Sequence, residues 1–180
     1  MKKIFTFTNF LGLLVLLAAA AGLYFTQGAT GTQQLNLPGD LDPGGPRQIR
    51  LHFAKDDGQG LAVEPRTVQL LQGEDALTRA LVELMRGPQQ QGAAALVPAG
   101  TPAPTVFLRE DTAIVDLPAA YARLNYGSAA ETALIYGIAQ TLLEFRQNPR
   151  VEQVRFLLQG REVESLGHLS LIDPFRRARQ

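Results

Sequence analysis

The stretch from Ser128 to Gly160, SAAETALIYGIAQTLLEFRQNPRVEQVRFLLQG, constrains the fold more than any other part of the chain. Ser128 with Glu131 three residues on forms a capping box, a helix-start signal that satisfies two otherwise orphaned N–H groups. Ala130, Leu134, Ile138, Ala139, Leu142 and Phe145 then recur at spacings of three and four, which lines them up on one side of a helix. Asn148-Pro149 predicts the stop, because a residue before proline is pushed out of the α region. Val151, Val154, Phe156 and Leu158 follow with strand-like alternation, and Gln159-Gly160 predicts a tight turn. A helix and a strand this apolar on their inner sides need a sheet to pack on.

The rest of the chain supplies one. Ile49, Leu51 and Phe53 alternate with Arg50 and His52, which predicts a half-buried strand with His52 on its solvent side. After Asp56-Asp57-Gly58, a turn, Val68 and Leu70 predict a second strand beginning past Pro65. Gly73-Glu74-Asp75 opens a helix whose stripe is Leu77, Leu81, Leu84 and Met85. Gly87-Pro88 closes that helix, glycine at its C-terminal end and proline after it. Gln89 to Ala95 reads as a mobile low-complexity loop, and Val97-Pro98-Ala99-Gly100-Thr101 as a turn. Val106 and Leu108, then Ile114 and Val115, flank Arg109-Glu110-Asp111-Thr112 as a hairpin. Arg161-Glu162-Val163 adds a short return strand.

The first forty-six residues carry a different signal. Lys2 and Lys3 precede an uncharged run, Ile4 to Phe25, of twenty-two residues. As a helix it spans roughly 33 Å at about 1.5 Å per residue, enough for a bilayer core of about 30 Å. Residues 1–3 then stay in the cytoplasm by the positive-inside rule, and everything after Phe25 is exported. An uncleaved signal anchor fits the apolar continuation Gly22-Leu23-Tyr24-Phe25; a cleaved signal peptide, with small residues Ala18–Ala21, is the alternative. Residues 26–46, rich in Gly and Pro, read as a flexible linker whose ends average roughly 25 Å apart. The folded domain is expected over residues 47–174, and 175–180 as a solvated basic tail.

Chemistry is sparse. The chain has no cysteine and two histidines, and its formal net charge is zero. That removes disulfides, thiolate metal sites and any lipidated cysteine, and it gives no field that would draw nucleic acid. Glu110-Asp111 sits at a hairpin tip, where nothing separates the two pKa values. His168 lies in a loop with no partner histidine, and Ser128 has no base to activate it. No catalytic, cofactor-binding or metal-binding residue is assigned. Tyr121 and Tyr126 are read as core wall residues, with a pocket beside them and the Val97–Thr101 turn as the alternative.

The pieces ALTRALVELMRGP (Ala76–Pro88), VPAGT (Val97–Thr101), AIVDL (Ala113–Leu117), ETALIYGIAQTLLEF (Glu131–Phe145) and VEQVRFLLQG (Val151–Gly160), in that order, resemble the GerMN domain of spore-germination and sporulation proteins. The resemblance covers roughly Ile49 to Pro174. It implies an α+β two-layer domain with two helices on a mixed or antiparallel sheet of about four to five strands. That domain is similar to the ring-building modules of secretion-type assemblies, and here one transmembrane helix precedes it. Gly87, Pro88, Pro98, Gly100, Thr101, Asp116, Leu117 and Gly160 would then be fold-defining turn positions. Family members are often lipoproteins; without a cysteine, a transmembrane anchor would take that role. The function implied is a non-enzymatic assembly or adaptor module at the cell envelope, contacting envelope proteins and weakly self-associating. A domain binding a small molecule or a cell-wall fragment is the second reading, and an envelope hydrolase the third.

Overall fold

The computed structural model of the protein describes residues 44–124, 127–146 and 149–177. The run Ile4–Phe25, the linker as far as residue 43, Tyr126 and Asn148 lie outside them. Among the described residues no helix is long and apolar enough to cross a membrane.

Among the described residues two larger sheets, a two-stranded hairpin and two α-helices make an α+β domain. In the first sheet β1 (Gly45–Lys55) pairs antiparallel with β2 (Leu61–Leu70), from Gly45 opposite Leu70 to Ala54 opposite Leu61. Both strands are longer than the hydrophobic alternation indicates. β2 runs straight through Pro65 because it is the edge strand, where a missing N–H costs no ladder bond. On the other side of β1 sits β3 (Ala93–Ala94), opposite Lys55 and Ala54. The stretch Gln89 to Ala95 is therefore not simply a loop; the Asp56 N–H to Gly92 carbonyl bond of 3.2 Å draws it onto β1.

Helix α1 (Ala76–Met85) begins as its sequence indicates. The Asp75 carboxylate accepts from the Leu77 and Thr78 N–H groups, and Leu77, Leu81, Leu84 and Met85 are all buried. Gly87 follows in the left-handed region with φ 92°, its N–H bonded to the Leu84 carbonyl at 3.1 Å.

The second sheet has the order β10 (Phe175–Arg176), β6 (Gln153–Leu158), β5 (Thr112–Leu117), β4 (Thr105–Arg109). β4 (Thr105–Arg109) and β5 (Thr112–Leu117) form the expected hairpin, with Glu110-Asp111 at its tip. β6 (Gln153–Leu158) lies parallel to β5, because the helix between them carries the chain back to the starting end. Gln159 (φ 53°) and Gly160 (φ 71°) make a two-residue turn into β7 (Arg161–Glu162), the left-handed pair that matches strand twist. β8 (Ser165–Leu166) and β9 (Leu169–Ser170) form a small hairpin of their own. β10 (Phe175–Arg176) pairs with the start of β6, Phe175 opposite Val154. The domain thus continues past Pro174, and Phe175 packs edge-on against Tyr136 and Phe156, with ring centroids 5.1 and 5.5 Å away.

Helix α2 (Ser128–Leu143) joins the two sheets, packing on β1 and reaching β6. It lies along the side of β1 that β3 leaves open. There the His52 N–H donates to Thr141 Oγ1 at 3.0 Å, which settles an edge donor that would otherwise be orphaned. Contact with both sheets explains why its buried surface (Leu134, Ile135, Gly137, Ile138, Ala139, Thr141, Leu142, Leu143) is wider than one stripe. The ends differ from expectation. Ser128 is the first helical residue, the cap position is Gly127, and no side chain caps it. The Glu131 carboxylate accepts instead from the His168 N–H at 3.1 Å, a tertiary partner taking the place of the capping box.

The helix also stops at Leu143, well before Pro149. The Arg177 guanidinium donates to the carbonyl of Leu143, the last helical residue, and beyond it to those of Phe145 (3.0 Å) and Val151 (2.7 Å), and pairs with Glu152 at 2.9 Å. A cation at a helix C-terminus meets both the unbonded carbonyls and the negative end of the dipole. Arg177, expected in a solvated tail, is a helix cap.

Candidate functional site

Two pairs of the motif positions, Asp116 with Gly160 and Pro98 with Thr101, meet at turns. Asp116 Oδ1 accepts from the Gly160 N–H at 2.8 Å, and the Leu117 carbonyl accepts from the Gln159 N–H at 3.0 Å. Asp116 therefore fastens the β6–β7 turn to the end of β5. Thr101 closes its own turn, with both its N–H (3.1 Å) and its hydroxyl (2.8 Å) on the Pro98 carbonyl. Tyr121 is buried in the core, its hydroxyl 3.1 Å from the Pro102 carbonyl and 3.0 Å from Met85 Sδ. It is a wall residue, and its edge borders an open cavity shared with Glu131, Leu166 and Gly167.

Gly87 and Pro88 sit beside a feature that the sequence reading passed over. Arg66, on the inward face of β2, is only 8% exposed, and its neighbours Glu64 and Glu83 only 3% and 5%. Its Nε and Nη2 bond Glu64, its Nη1 bonds both the Glu83 carboxylate (3.2 Å) and the Glu83 carbonyl (3.2 Å), and Nη2 also reaches the Gly87 carbonyl at 3.0 Å. Glu64 accepts in addition from the Gln89 and Gln90 N–H groups at 2.8 and 3.1 Å. Burial pushes the Glu64 carboxyl upward, but these donors outweigh it and hold it below its ordinary value. Every Arg66 donor is used, so the cluster fixes β2 to the end of α1 and offers no free group for chemistry. Extending β2 through Pro65 would have exposed it, since Glu64, Arg66, Val68 and Leu70 then share one face.

His52 also lies on the other side of the account from that expected. It is buried, with Nδ1 lacking a hydrogen-bond partner and Nε2 3.9 Å from Glu144 Oε1. At His52 the face that is open at Gln48 and Arg50 becomes covered, so alternation does not separate core from solvent at that position. Burial lowers the His52 pKa; the Glu144 carboxylate opposes the shift and Arg50 adds to it. Because the folded value lies below the unfolded one, stability is full above about pH 6.5 and declines as pH falls below it. Melting temperature against pH should show this decline in the natural chain and a flatter acid limb in His52→Gln. Equal slopes would remove His52 as the cause.

Glu110 and Asp111 stay at the water-facing hairpin tip, and His168 is exposed. Among the described residues no group of three His, Asp or Glu is placed to hold a metal ion.

What remains is a surface. By register, Phe107 of β4 stands opposite Ile114 of β5, which is beside Arg155 of β6, all on the face turned away from the helices. Phe107 is 58% exposed and Ile172 59%. A groove of about 490 Å³ opens there, lined by Ile114, Leu157, Val163 and Ile172 with Arg109, Arg155, Glu162 and Glu164 among its polar groups. No motif marked it, because exposed apolar residues at alternate strand positions look like an ordinary strand face.

A family model described as Germane, sporulation and spore germination, matches residues 50–164. Among solved structures, the first GerMN domain of the sporulation protein GerM from Bacillus subtilis aligns with a TM-score of 0.53 at 23% identity, over 69% of this chain and 91% of that one. The tandem GerMN domains of the same protein align with a TM-score of 0.51 at 23% identity, over 69% of this chain and 44% of theirs. At that identity these two likenesses speak for the fold. No curated protein matches this chain. The family model spans both helices and the strands from β1 to β7, more than half of the sequence, and the chain belongs to the Germane family of sporulation and spore germination.

Proposed function

We propose that this chain is a non-enzymatic protein-interaction module, held at the outer side of the cytoplasmic membrane by Ile4–Phe25 and acting on an envelope protein in its family's sporulation or germination setting. The observation that carries this reading is the outer face of the second sheet. Parallel strand pairs such as β5–β6 are normally covered on both faces, and here Ile114 and Leu157 are only half-buried beside exposed Ile172, with exposed Phe107 opposite Ile114. Apolar centres ringed by mixed charges, here Arg109, Arg155, Glu162 and Glu164, are what protein interfaces look like.

The test is capture from native membranes with the full-length chain. Phe107→Asp with Ile172→Asp should melt like the natural protein, because both side chains are exposed, and should lose its captured envelope partner at least about tenfold, as expected for a central contact. Unchanged capture by the double variant would move the interface elsewhere.

The second reading, a small-molecule or cell-wall-fragment binder, draws on a different groove of about 670 Å³. Ala54, Gly60, Leu61, Ala129, Ala133 and Tyr136 line it between the β1–β2 turn and α2. Loss of cell-wall-fragment binding in Ala133→Phe, with capture intact, would favour it.

A further inference from the structure

We infer that two copies of the domain join along β4 of the second sheet, strand to strand and antiparallel, as a closed two-fold dimer. The inference concerns the edge of that sheet and does not rest on the reading of its face proposed above.

The sheet edges of this molecule differ in how they are protected. β2, the edge of the first sheet, carries Pro65 in its middle and turns Glu64 and Arg66 inward, two devices that stop an edge from pairing with another chain. The other side of β1 is taken by β3 and α2. In the second sheet, β10 and β7 pair with β6 over two residues each, too short to template a further strand. β4 has none of these protections. It is a five-residue run, Thr105 to Arg109, without proline or glycine, and among the described residues no strand lies on its outer side. Phe107 and Leu108 point to opposite faces of the sheet, yet they are 58% and 41% exposed, so the strand is open on both sides.

Register selects a second copy as the occupant. Arg109 and Thr112 close a two-residue turn as a hydrogen-bonded pair, so by alternation Phe107 and Thr105 also spend their backbone groups on β5. The N–H and C=O of Val106 and Leu108 then point outward. A second β4 laid antiparallel about Phe107 sets Val106 opposite Leu108 of the other copy, donor to acceptor in both directions. It also sets Phe107 against Phe107 of the other copy as a non-hydrogen-bonded pair, the kind with the closer side chains.

Charge points the same way. Among the described residues the Arg109 side chain makes no hydrogen bond or ion pair, and Glu162, which lines the same groove, is taken by Arg155 at 3.9 Å. In the dimer Arg109 stands opposite Thr105 of the other copy. The β5 neighbour of that Thr105 is Asp116, on the same face and roughly 10 Å from Arg109 across two strand spacings. Asp116 gives Oδ1 to the Gly160 N–H and keeps Oδ2 for a guanidinium. Because each copy contributes the same strand, the contact consumes the edge on both sides and assembly stops at the dimer.

The experiment measures the mass of the full chain in mild detergent by sedimentation across a wide concentration range. A monomer–dimer equilibrium with nothing larger is expected. Thr105→Lys, at an exposed site, puts a like charge opposite Arg109 of the other copy. It should melt like the parent and weaken dimerisation about tenfold, since two symmetry-related pairs change at once. Adding Arg109→Glu to Thr105→Lys makes both pairs attractive and should restore the dimer. Register is read independently through cysteine, which the natural chain lacks. Phe107→Cys puts two thiols on the axis with Cα atoms about 4.5 Å apart, within disulfide range, whereas Thr105→Cys puts them roughly 14 Å apart. Mild oxidation should cross-link the first at least about tenfold faster than the second. A monomer at every concentration, equal cross-linking at the two positions, or no rescue by the charge reversal overturns the inference. So does loss of the dimer in Ile172→Asp, which would seat the second copy on the face of the sheet. It is also overturned if Thr105→Lys leaves the mass unchanged but loses a captured envelope protein, because the edge would then take a strand of that protein.

Discussion

Replacing Arg66 with methionine is expected to destabilise the domain by about 3–5 kcal/mol, the cost of removing one partner from a buried ion pair. The size follows from what is left behind. Glu64 is 3% exposed and keeps only the Gln89 and Gln90 N–H groups, while Glu83 retains Arg79 at 3.1 Å and Arg86 at 2.6 Å. The uncompensated charge is therefore mainly that of Glu64. Two measurements separate this account from simple loss of packing over Phe53, whose ring the guanidinium overlies at 5.9 Å. Adding Glu64→Gln to Arg66→Met should recover part of the loss, since a neutral amide oxygen can still accept from Gln89 and Gln90. The pH dependence should also change sign. In the natural chain the Glu64 pKa is depressed, so its contribution is present above about pH 4.5 and is lost as pH falls through the folded value. Without Arg66, burial should dominate and raise that pKa, so the variant would close part of the gap as the solution is acidified. A loss below about 1 kcal/mol in urea titrations would mean that the cluster is not what fixes β2 to α1.

The parts of this fold legible in the sequence are those whose causes are local. Asp75, Gly87 and Pro88 delimit α1 because caps and breakers act within a few residues, and Gly160 marks its turn by its freedom at positive φ, although Asp116 is what fastens it. Causes that act between distant segments left no mark. Helix α2 ends where Arg177, 34 residues past Leu143, reaches its carbonyls, and Glu131 forgoes its capping box for a loop 37 residues on. His52 looked solvent-facing because alternation assumes that a face stays wet along the strand, and this one is open at Gln48 and Arg50 but covered at His52. The candidate interface was illegible for a related reason: Phe107 and Ile172 are far apart in sequence, and only the pairing of β4, β5 and β6 brings Arg109, Ile114 and Leu157 to the groove that Ile172 also lines.

The same argument gives the second large effect, at a residue that sequence rules would misjudge. Glycine inside a helix is unfavourable relative to alanine by about 1 kcal/mol, so Gly137→Ala in the middle of α2 looks stabilising. The opposite is expected, a net loss of about 2 kcal/mol, because an added methyl overpacks the contact at a cost of up to about 3 kcal/mol. A Cβ at position 137 would stand 2.6 Å from Leu96 Cδ1 and 2.7 Å from the His52 carbonyl oxygen. Leu96 can rotate its tip aside. The carbonyl belongs to β1 and cannot move without disturbing the β1–β2 ladder, so the helix must lift. Lifting also stretches the buried bond from the His52 N–H to Thr141 Oγ1, one turn along α2. Gly137→Val, with two further methyl groups in the same gap, should prevent α2 from seating and leave no cooperative melt. If Gly137→Ala instead raises the melting temperature, the helix does not approach the edge of β1 this closely, and the account of how one helix joins the two sheets fails with it.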